Sequence, residues 1–260
     1  MKNIFKEFRK RDITIYVVLR LLVILTLIAQ SIRGNWENVF LCVFTLVLFT
    51  IPSIIDKKLN IKLPNALESI ILLFIFSAEI LGEIQNFYGT FKYWDAMLHT
   101  INGFLCGAIG FSLIDILNRS DKFHTKMTPV FVALVAFCFS MTVGVMWEFF
   151  EYGMDTFVKK DMQKDKIITT VSSVTLHEEK KNIPVVLNDI YETDIKYKEN
   201  GEDKVAVIQG GFLDIGIKDT MKDLFVNFIG AVVFSIIGLL YIKGQDEYKF
   251  VESFVPTMKK

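Results

Sequence analysis

No sign of charge prevails in this sequence of 260 residues: 29 lysines and arginines stand against 29 aspartates and glutamates. Nothing in that balance points to nucleic acid as a partner. Cysteine is scarce as well. Cys42, Cys106 and Cys138 all fall inside apolar runs, which implies no disulfide framework and makes them small packing residues. The chain also lacks a phosphate-cradling glycine-rich loop, a Ser-His-Asp signature and an inverted internal repeat of the transporter kind.

Apolar residues are what the sequence has in excess. They make up 52% of the chain, and the mean hydropathy of +0.40 is too high for an ordinary soluble domain. Charges crowd between long stretches that have almost none. A helix needs about 20 mostly apolar residues to cross roughly 30 Å of hydrocarbon. Ile13 to Ile32, Ala96 to Leu117, Pro129 to Phe150 and Leu224 to Ile242 meet that length. Val39 to Ile55 is shorter but almost wholly apolar, and Glu68, Glu79 and Glu83 interrupt Leu67 to Ile84. The expected fold is an all-α membrane protein, a six-helix transmembrane bundle, or five helices if the third segment lies differently. The basic start (Lys2, Lys6, Arg9, Lys10, Arg11) suits a signal peptide, but the apolar stretch is too long and Ala29-Gln30-Ser31 matches a cleavage site poorly. The first span is therefore expected to stay as a helix.

Lys and Arg in the short loops set the orientation. Five lie in the N-terminal tail; Lys57, Lys58 and Lys62 lie in the second loop, and Arg119, Lys122 and Lys126 in the fourth. Against these eleven, the first and third loops offer Arg33 and Lys92. The alternation predicts a multi-pass protein of the cell membrane, surrounded by membrane lipids, with both termini cytoplasmic. Residues 1–158 then hold the first five helices, 159–218 form an extracytoplasmic insertion, and 219–260 hold the sixth helix and a tail. Thr169 to Leu176 and Lys204 to Gln209 are rich in β-branched residues, and Asn200-Gly201 sits between Thr193-Asp-Ile-Lys-Tyr and Lys204-Val-Ala-Val-Ile, a hairpin signal. A small β-rich insertion is expected there, whether or not it has a role of its own.

Ionisable residues within a membrane are costly, so their placement carries information. Asp95 and His99 open the fourth span, while Glu148, Glu151 and Asp155 close the fifth. Asp219, Asp223 and Asn227 open the sixth, and Glu79 and Glu83 close the third. With alternating spans, all of these fall at one end, the extracytoplasmic one. Residues four apart share a helix face. Asp95, His99, Gly103 and Gly107 form one ridge, Asp219, Asp223, Asn227, Ala231 and Ser235 another, and Ser140, Gly144 and Glu148 a third. Small residues let membrane helices approach closely, and Gly103-x-x-x-Gly107 has that form. The acids should therefore converge on one another.

Several carboxylates and an imidazole in a partly dry site cannot all ionise without compensation. A divalent metal ion is one answer, with Asp95, His99, Glu148 and Asp223 as ligands and Asn227, Glu151 and Glu79 around them. Protonated carboxyls bonded to one another are the other. Plainer readings apply too: Glu83, Asp155 and Asp219 fit an aqueous interface, and Asp95 and Asp219 fit helix N-termini. Trp94, Trp147, Tyr88, Tyr93 and Tyr152 fit interfacial anchoring, Arg20 fits snorkelling to the cytoplasmic face, and His124 and His177 fit solvated loops.

Three stretches carry a resemblance. They are Trp94-Asp95-Ala-Met-Leu-His99-Thr-Ile-Asn102-Gly103-Phe, Trp147-Glu148-Phe-Phe-Glu151, and Asp219-Thr-Met-Lys-Asp223-Leu-Phe-Val-Asn227-Phe-Ile-Gly230-Ala231. They look like the YjdF-type bacterial inner-membrane family. More distantly, the Asp-x-x-x-His and Asp-Leu-x-x-Asn-x-x-Gly-Ala elements are similar to VanZ-like proteins, which are associated with glycopeptide resistance. The match covers the last three spans, and the insertion before Asp219 departs from the compact family pattern. The resemblance implies a bacterial cytoplasmic-membrane protein. Three classes of function stay open: a metal-dependent enzyme on an envelope lipid or lipid-linked substrate, a cation or proton transporter, and a structural protein without catalysis. Polar residues are few in the cytoplasmic half besides Arg20 and Glu68, which favours a one-sided site.

Overall fold

The computed structural model describes residues 2–58, 61–119, 127–179, 181–244, 253–255 and 257–258. Lys122, His124 and Lys126 lie outside the described residues. Helices α1 (Lys2–Ile32), α2 (Trp36–Leu48) and α3 (Ile51–Lys58) come first, followed by the two-residue strand β1 (Ile61–Lys62). Helix α4 (Asn65–Phe76) runs into a π-helical stretch, Ser77–Ile84, and the short α5 (Phe87–Thr90) leads into α6 (Trp94–Arg119). Helix α7 (Pro129–Gly153) ends in a π-helical turn, Met154–Val158. Strands β2 (Lys166–Ile168), β3 (Val171–Ser173), β4 (Val185–Leu187), β5 (Glu192–Glu199), β6 (Glu202–Gln209) and β7 (Phe212–Asp214) precede α8 (Ile217–Lys243). Strand β8 (Thr257–Met258) comes last.

Among the described residues, five helices are long and apolar enough to cross a membrane: Thr14–Ile32, Trp36–Ile54, Trp94–Asn118, Pro129–Val158 and Ile217–Lys243. The segment expected as the third span is helical from Asn65 to Ile84 but changes winding at Ser77, and it is not among the five. Its carboxylates explain this in part: Glu68 sits in its first turn, and Glu79 and Glu83 lie in the π stretch.

The chain divides into two units, Met1–Val145 with Asp223–Lys260, and Met146–Lys222. In the first, Leu19 and Val23 of α1, Cys42 of α2, and Leu72 and Ile80 of the segment from Asn65 form one core with Phe49. A second core joins Ala108 and Phe111 of α6, Val132 and Ala136 of α7, and Phe234 and Tyr241 of α8. Large side chains outside these cores face outward, with Ile32 82% and Phe40 67% exposed. Apolar faces of that extent are what a bundle presents to lipid and would be a liability in water. Cys42 and Cys106 are packed inside as expected, whereas Cys138 lies on the exposed face of α7. The Arg20 guanidinium stands 4.3 Å over the ring of Tyr16, one turn toward the start of α1, the direction that snorkelling requires.

The first unit pairs β1 with β8, and the second unit holds two-stranded antiparallel ladders of β2 with β7, β3 with β4, and β5 with β6. The β5–β6 turn has Asn200 at φ 54° and Gly201 at φ 86°. Both central residues are thus left-handed, as a tight Asn-Gly hairpin demands. Two-stranded ladders are marginal alone, and carboxylates tie these down. Asp155 accepts the backbone N–H groups of Met162 at 2.6 Å and Gln163 at 2.8 Å. Asp219, expected at a wet interface, is instead buried; it accepts the Lys164 N–H at 2.9 Å and faces the Lys166 and Lys222 ammoniums at 3.4 and 3.2 Å. Asp214 accepts the Lys218 N–H at 2.8 Å, capping the start of α8. His177 accepts the Glu179 N–H at its Nδ1, 3.2 Å away, a local loop contact. Partial desolvation, followed by the charges of Asp161, Asp155 and Asp214, raises the Asp165 carboxyl above its ordinary range, against the opposing pull of Lys164.

Candidate functional site

The site starts from two glycines. Helices α6 and α8 run parallel, and a Cβ on Gly103 would lie 2.1 Å from the carbonyl oxygen of Asn227. A Cβ on Gly230 would lie 2.1 Å from the carbonyl oxygen of Thr100. Only hydrogen fits at either position, so the two backbones touch. The contact continues downward as Gly107 against Phe234 and Gly238 against Phe111. On α7, the Ser140 hydroxyl donates to the Gly103 carbonyl at 2.7 Å, and Gly144 leaves room for the Asn227 amide.

That crossing fixes what lies one turn above it. His99 precedes Gly103 by four residues, and Asp223 precedes Asn227 by four. Side chains on a helix lean toward its N-terminus, so on parallel helices both lean the same way and meet beyond the contact. The His99 Nε2 lies 3.4 Å from Asp95 Oδ1. Asp95, His99 and Asp223 each offer one ligand atom, and these atoms lie within 4.8 Å of one another. Asp95 is half-buried, while His99 is 7% and Asp223 1% exposed. Ligand atoms around one ion at about 2.1 Å are at most about 4.2 Å apart, so side-chain shifts of well under an ångström would close the group on a metal.

Beneath it the polar residues are held tightly. Asn227, fully buried, accepts from the Asn102 amide at 3.1 Å and directs its own amide at Met141 Sδ, 3.7 Å away. The Cys106 thiol donates to Asn102 Oδ1 at 3.5 Å. Asn102 was not assigned a role from sequence. Its signal was there: a lone amide in an apolar run, three residues after His99.

Glu148 and Glu151 belong to the second unit, where both are buried and Trp147 Nε1 donates to Glu151 at 2.7 Å. Glu79 is half-buried in the π-helical stretch. That stretch is tied to the start of α6 by Trp94 Nε1, which donates to the Ser77 carbonyl at 3.3 Å, and π windings recur at functional positions.

Apolar spans and a polar group packed where α6 and α8 begin define a polytopic α-helical membrane protein. The chain belongs to the predicted membrane protein family DUF2238, whose model matches residues 13–244. It is also similar to an uncharacterised protein of Thermotoga maritima, 25% identical over 104 residues. That match covers 40% of this chain and 52% of the relative, so the chain spans about half the length of the protein it matches. No solved structure matches.

Proposed function

We propose that Asp95, His99 and Asp223 bind one divalent cation at the extracytoplasmic end of a six-span bundle, in the service of hydrolysis of a lipid-linked envelope substrate. The observation that carries this is the convergence of three donor atoms within 4.8 Å, two of them on buried side chains. Two carboxylates balance a +2 ion, and one imidazole among oxygen donors suits a hard or borderline metal. Three protein ligands leave coordination positions open, as catalytic sites do. Asp95, His99 and Asp223 would hold the ion, and when bound it would supply Lewis-acid polarisation of a phosphoryl group and activation of water. Glu148 is proposed as a further ligand on its sequence spacing alone. The likeness of Trp94–Phe104 and Asp219–Ala231 to the YjdF-type and VanZ-like families favours an envelope substrate. The third apolar segment counts as a span in this reading, and the charge alternation puts both termini in the cytoplasm.

Metal analysis of detergent-purified protein tests the site. Wild type should carry about one ion per chain; His99→Ala and Asp223→Asn should lose it, and Glu148→Gln should weaken it. Chelation should lower the melting temperature of wild type, because a ligand bound to the folded state stabilises it by mass action. Protein without stoichiometric metal, whose melting a chelator leaves unchanged, would refute the metal and leave a shared-proton network. If metal is present, release of phosphate from lipid-linked phosphates is the first assay. Reporter fusions at both termini and within residues 159–218 test the orientation, and a cytoplasmic signal from the insertion would overturn it.

One observation favours conduction of a cation or proton as the second reading. The Ser235 hydroxyl, two turns below Asn227, is buried without a hydrogen-bond partner among the described residues. It extends the polar face of α8 beyond the needs of a one-sided site. Proton uptake into liposomes, abolished by Asp223→Asn and slowed by Ser235→Ala, would decide for it.

A further inference from the structure

The longest ladder of the second unit has an open side. Strands β5 and β6 pair from Glu192 opposite Gln209 to Glu199 opposite Glu202, and no third strand joins them among the described residues. In an antiparallel strand alternate residues turn their N–H and C=O toward the partner, and the others turn away. Two hydrogen bonds fix which are which. The Gly210 N–H donates to the Tyr191 carbonyl at 2.7 Å, so Tyr191 faces β6, and Thr193, Ile195, Tyr197 and Glu199 do likewise. The Ile190 N–H points the other way and donates to the Thr169 carbonyl at 2.9 Å. Glu192, Asp194, Lys196 and Lys198 continue that outer row. Strand β7 touches the start of β5, where Thr193 Oγ1 donates to the Gly211 carbonyl at 2.8 Å. Among the described residues, no backbone bond reaches the outer row beyond Ile190.

Charge decides what fits this edge. The row reads acid, acid, base, base, and its side chains share one face. Lay a second copy of β5 antiparallel, with Ile195 opposite its own counterpart. Glu192 then stands opposite Lys198 of the second copy and Asp194 opposite its Lys196, each pair occurring twice by symmetry. The same register sets outward-bonding residues against one another, as a ladder requires. Sliding one copy by two residues puts either Asp194 or Lys196 against itself, and like charges directly opposite are unfavourable. The outer row of β6, Asp203, Val205, Val207 and Gln209, carries one charge and selects no register.

All four residues of the β5 row are exposed. Lys198 faces Asp203 at 3.7 Å with its side chain still 74% exposed, which leaves room for a second acid. Val205 and Val207, opposite Lys196 and Asp194, are each 52% exposed, and Ile195 and Tyr197 on the other face are each 43% exposed. A two-stranded ladder bare on both faces is marginal, and added strands stabilise it.

We propose that two copies of this chain pair edge to edge through β5, antiparallel about Ile195, and join their hairpins into one four-stranded sheet. The pairing is independent of the Asp95, His99 and Asp223 group.

The test is disulfide trapping of the full chain in its membrane, scored above the background that Cys42, Cys106 and Cys138 give in wild type. Ile195→Cys should yield a covalent dimer under mild oxidation. Tyr197→Cys, placed opposite Thr193 of the second copy, should trap little. Added to Ile195→Cys, either Lys196→Asp or Asp194→Lys sets like charges opposite at two places and should cut trapping about tenfold. Both changes together exchange the charges and should restore it, which separates lost complementarity from a damaged hairpin. No dimer from Ile195→Cys, single reversals that trap as before, or an exchange no better than the singles would each overturn the proposal. So would trapping through Ala206→Cys in place of Ile195→Cys, which would assign the contact to β6.

Discussion

Gly103 and Asn227 meet backbone to backbone: a Cβ on the glycine would lie 2.1 Å from the asparagine carbonyl oxygen. The approach of His99 to Asp223 depends on that contact, since they stand one turn above its two halves. Gly103→Ala should therefore push the helices apart. The expected cost is about 1–3 kcal/mol from overpacking, read as a lower melting temperature in detergent. The atoms in the way are backbone, the Asn227 carbonyl and the Ala231 nitrogen, so no side-chain truncation on the facing helix should restore it. Unchanged melting in Gly103→Ala would mean the helices do not touch there.

Asn102 and Asn227 share a hydrogen bond inside the bundle. Removing either partner leaves a buried amide unsatisfied, at about 1–3 kcal/mol. Asn102→Leu and Asn227→Leu should each destabilise by that order, and the double variant by clearly less than the sum. Additive losses in chemical or thermal unfolding would show that the two amides are not coupled.

Asp219 holds the segment after α7 onto the start of α8. Hydrogen bonds to a charged group contribute about 1.5–3 kcal/mol, and the exposure of its lysine partners places Asp219→Ala at the lower end. Limited proteolysis should cut residues 159–218 faster in this variant while the apolar helices stay intact. Cleavage no faster than in wild type would remove Asp219 from this role.

Asp165 gives the insertion a pH dependence. Its carboxyl is raised in the folded protein, chiefly by desolvation and then by neighbouring acids. A raised carboxyl binds protons more readily folded than unfolded, so its contribution favours folding below the ordinary aspartate value, about 3.9. That contribution is lost as pH rises through the elevated value. At neutral pH, Asp165→Asn should thus slow proteolysis of the insertion, and the difference from wild type should shrink in acid. A variant that protects equally at both pH values would contradict the shift.

The periodic features were legible in the sequence because each is a local consequence of composition. The uncharged runs mark helices, since a backbone in hydrocarbon must satisfy its own hydrogen bonds, and Asn200-Gly201 marks a turn that needs two left-handed residues. The third apolar segment was the least legible. Glu79 and Glu83 weaken its pattern, and a π winding, set by packing against neighbours, leaves no period to count. Asp219 was misplaced for a related reason: its partner Lys164 lies 55 residues away, and no spacing rule reaches that far.

The sequence by itself determined that this chain forms membrane-spanning helices, and that acids and one histidine cluster at the helix ends. It also put His99 on one face with Gly103, and Asp223 on one face with Asn227, because the helical period alone requires it. Only the tertiary structure decided which faces meet. Nothing in the spacing specifies that Gly103 opposes Asn227 rather than the next turn, nor that Asn102 completes the network. Nor does it specify that Phe254 sets its ring edge-on against Phe104. Those pairings depend on how closely two backbones can approach. That distance is set by steric contact between residues more than a hundred positions apart, which local periodicity does not encode.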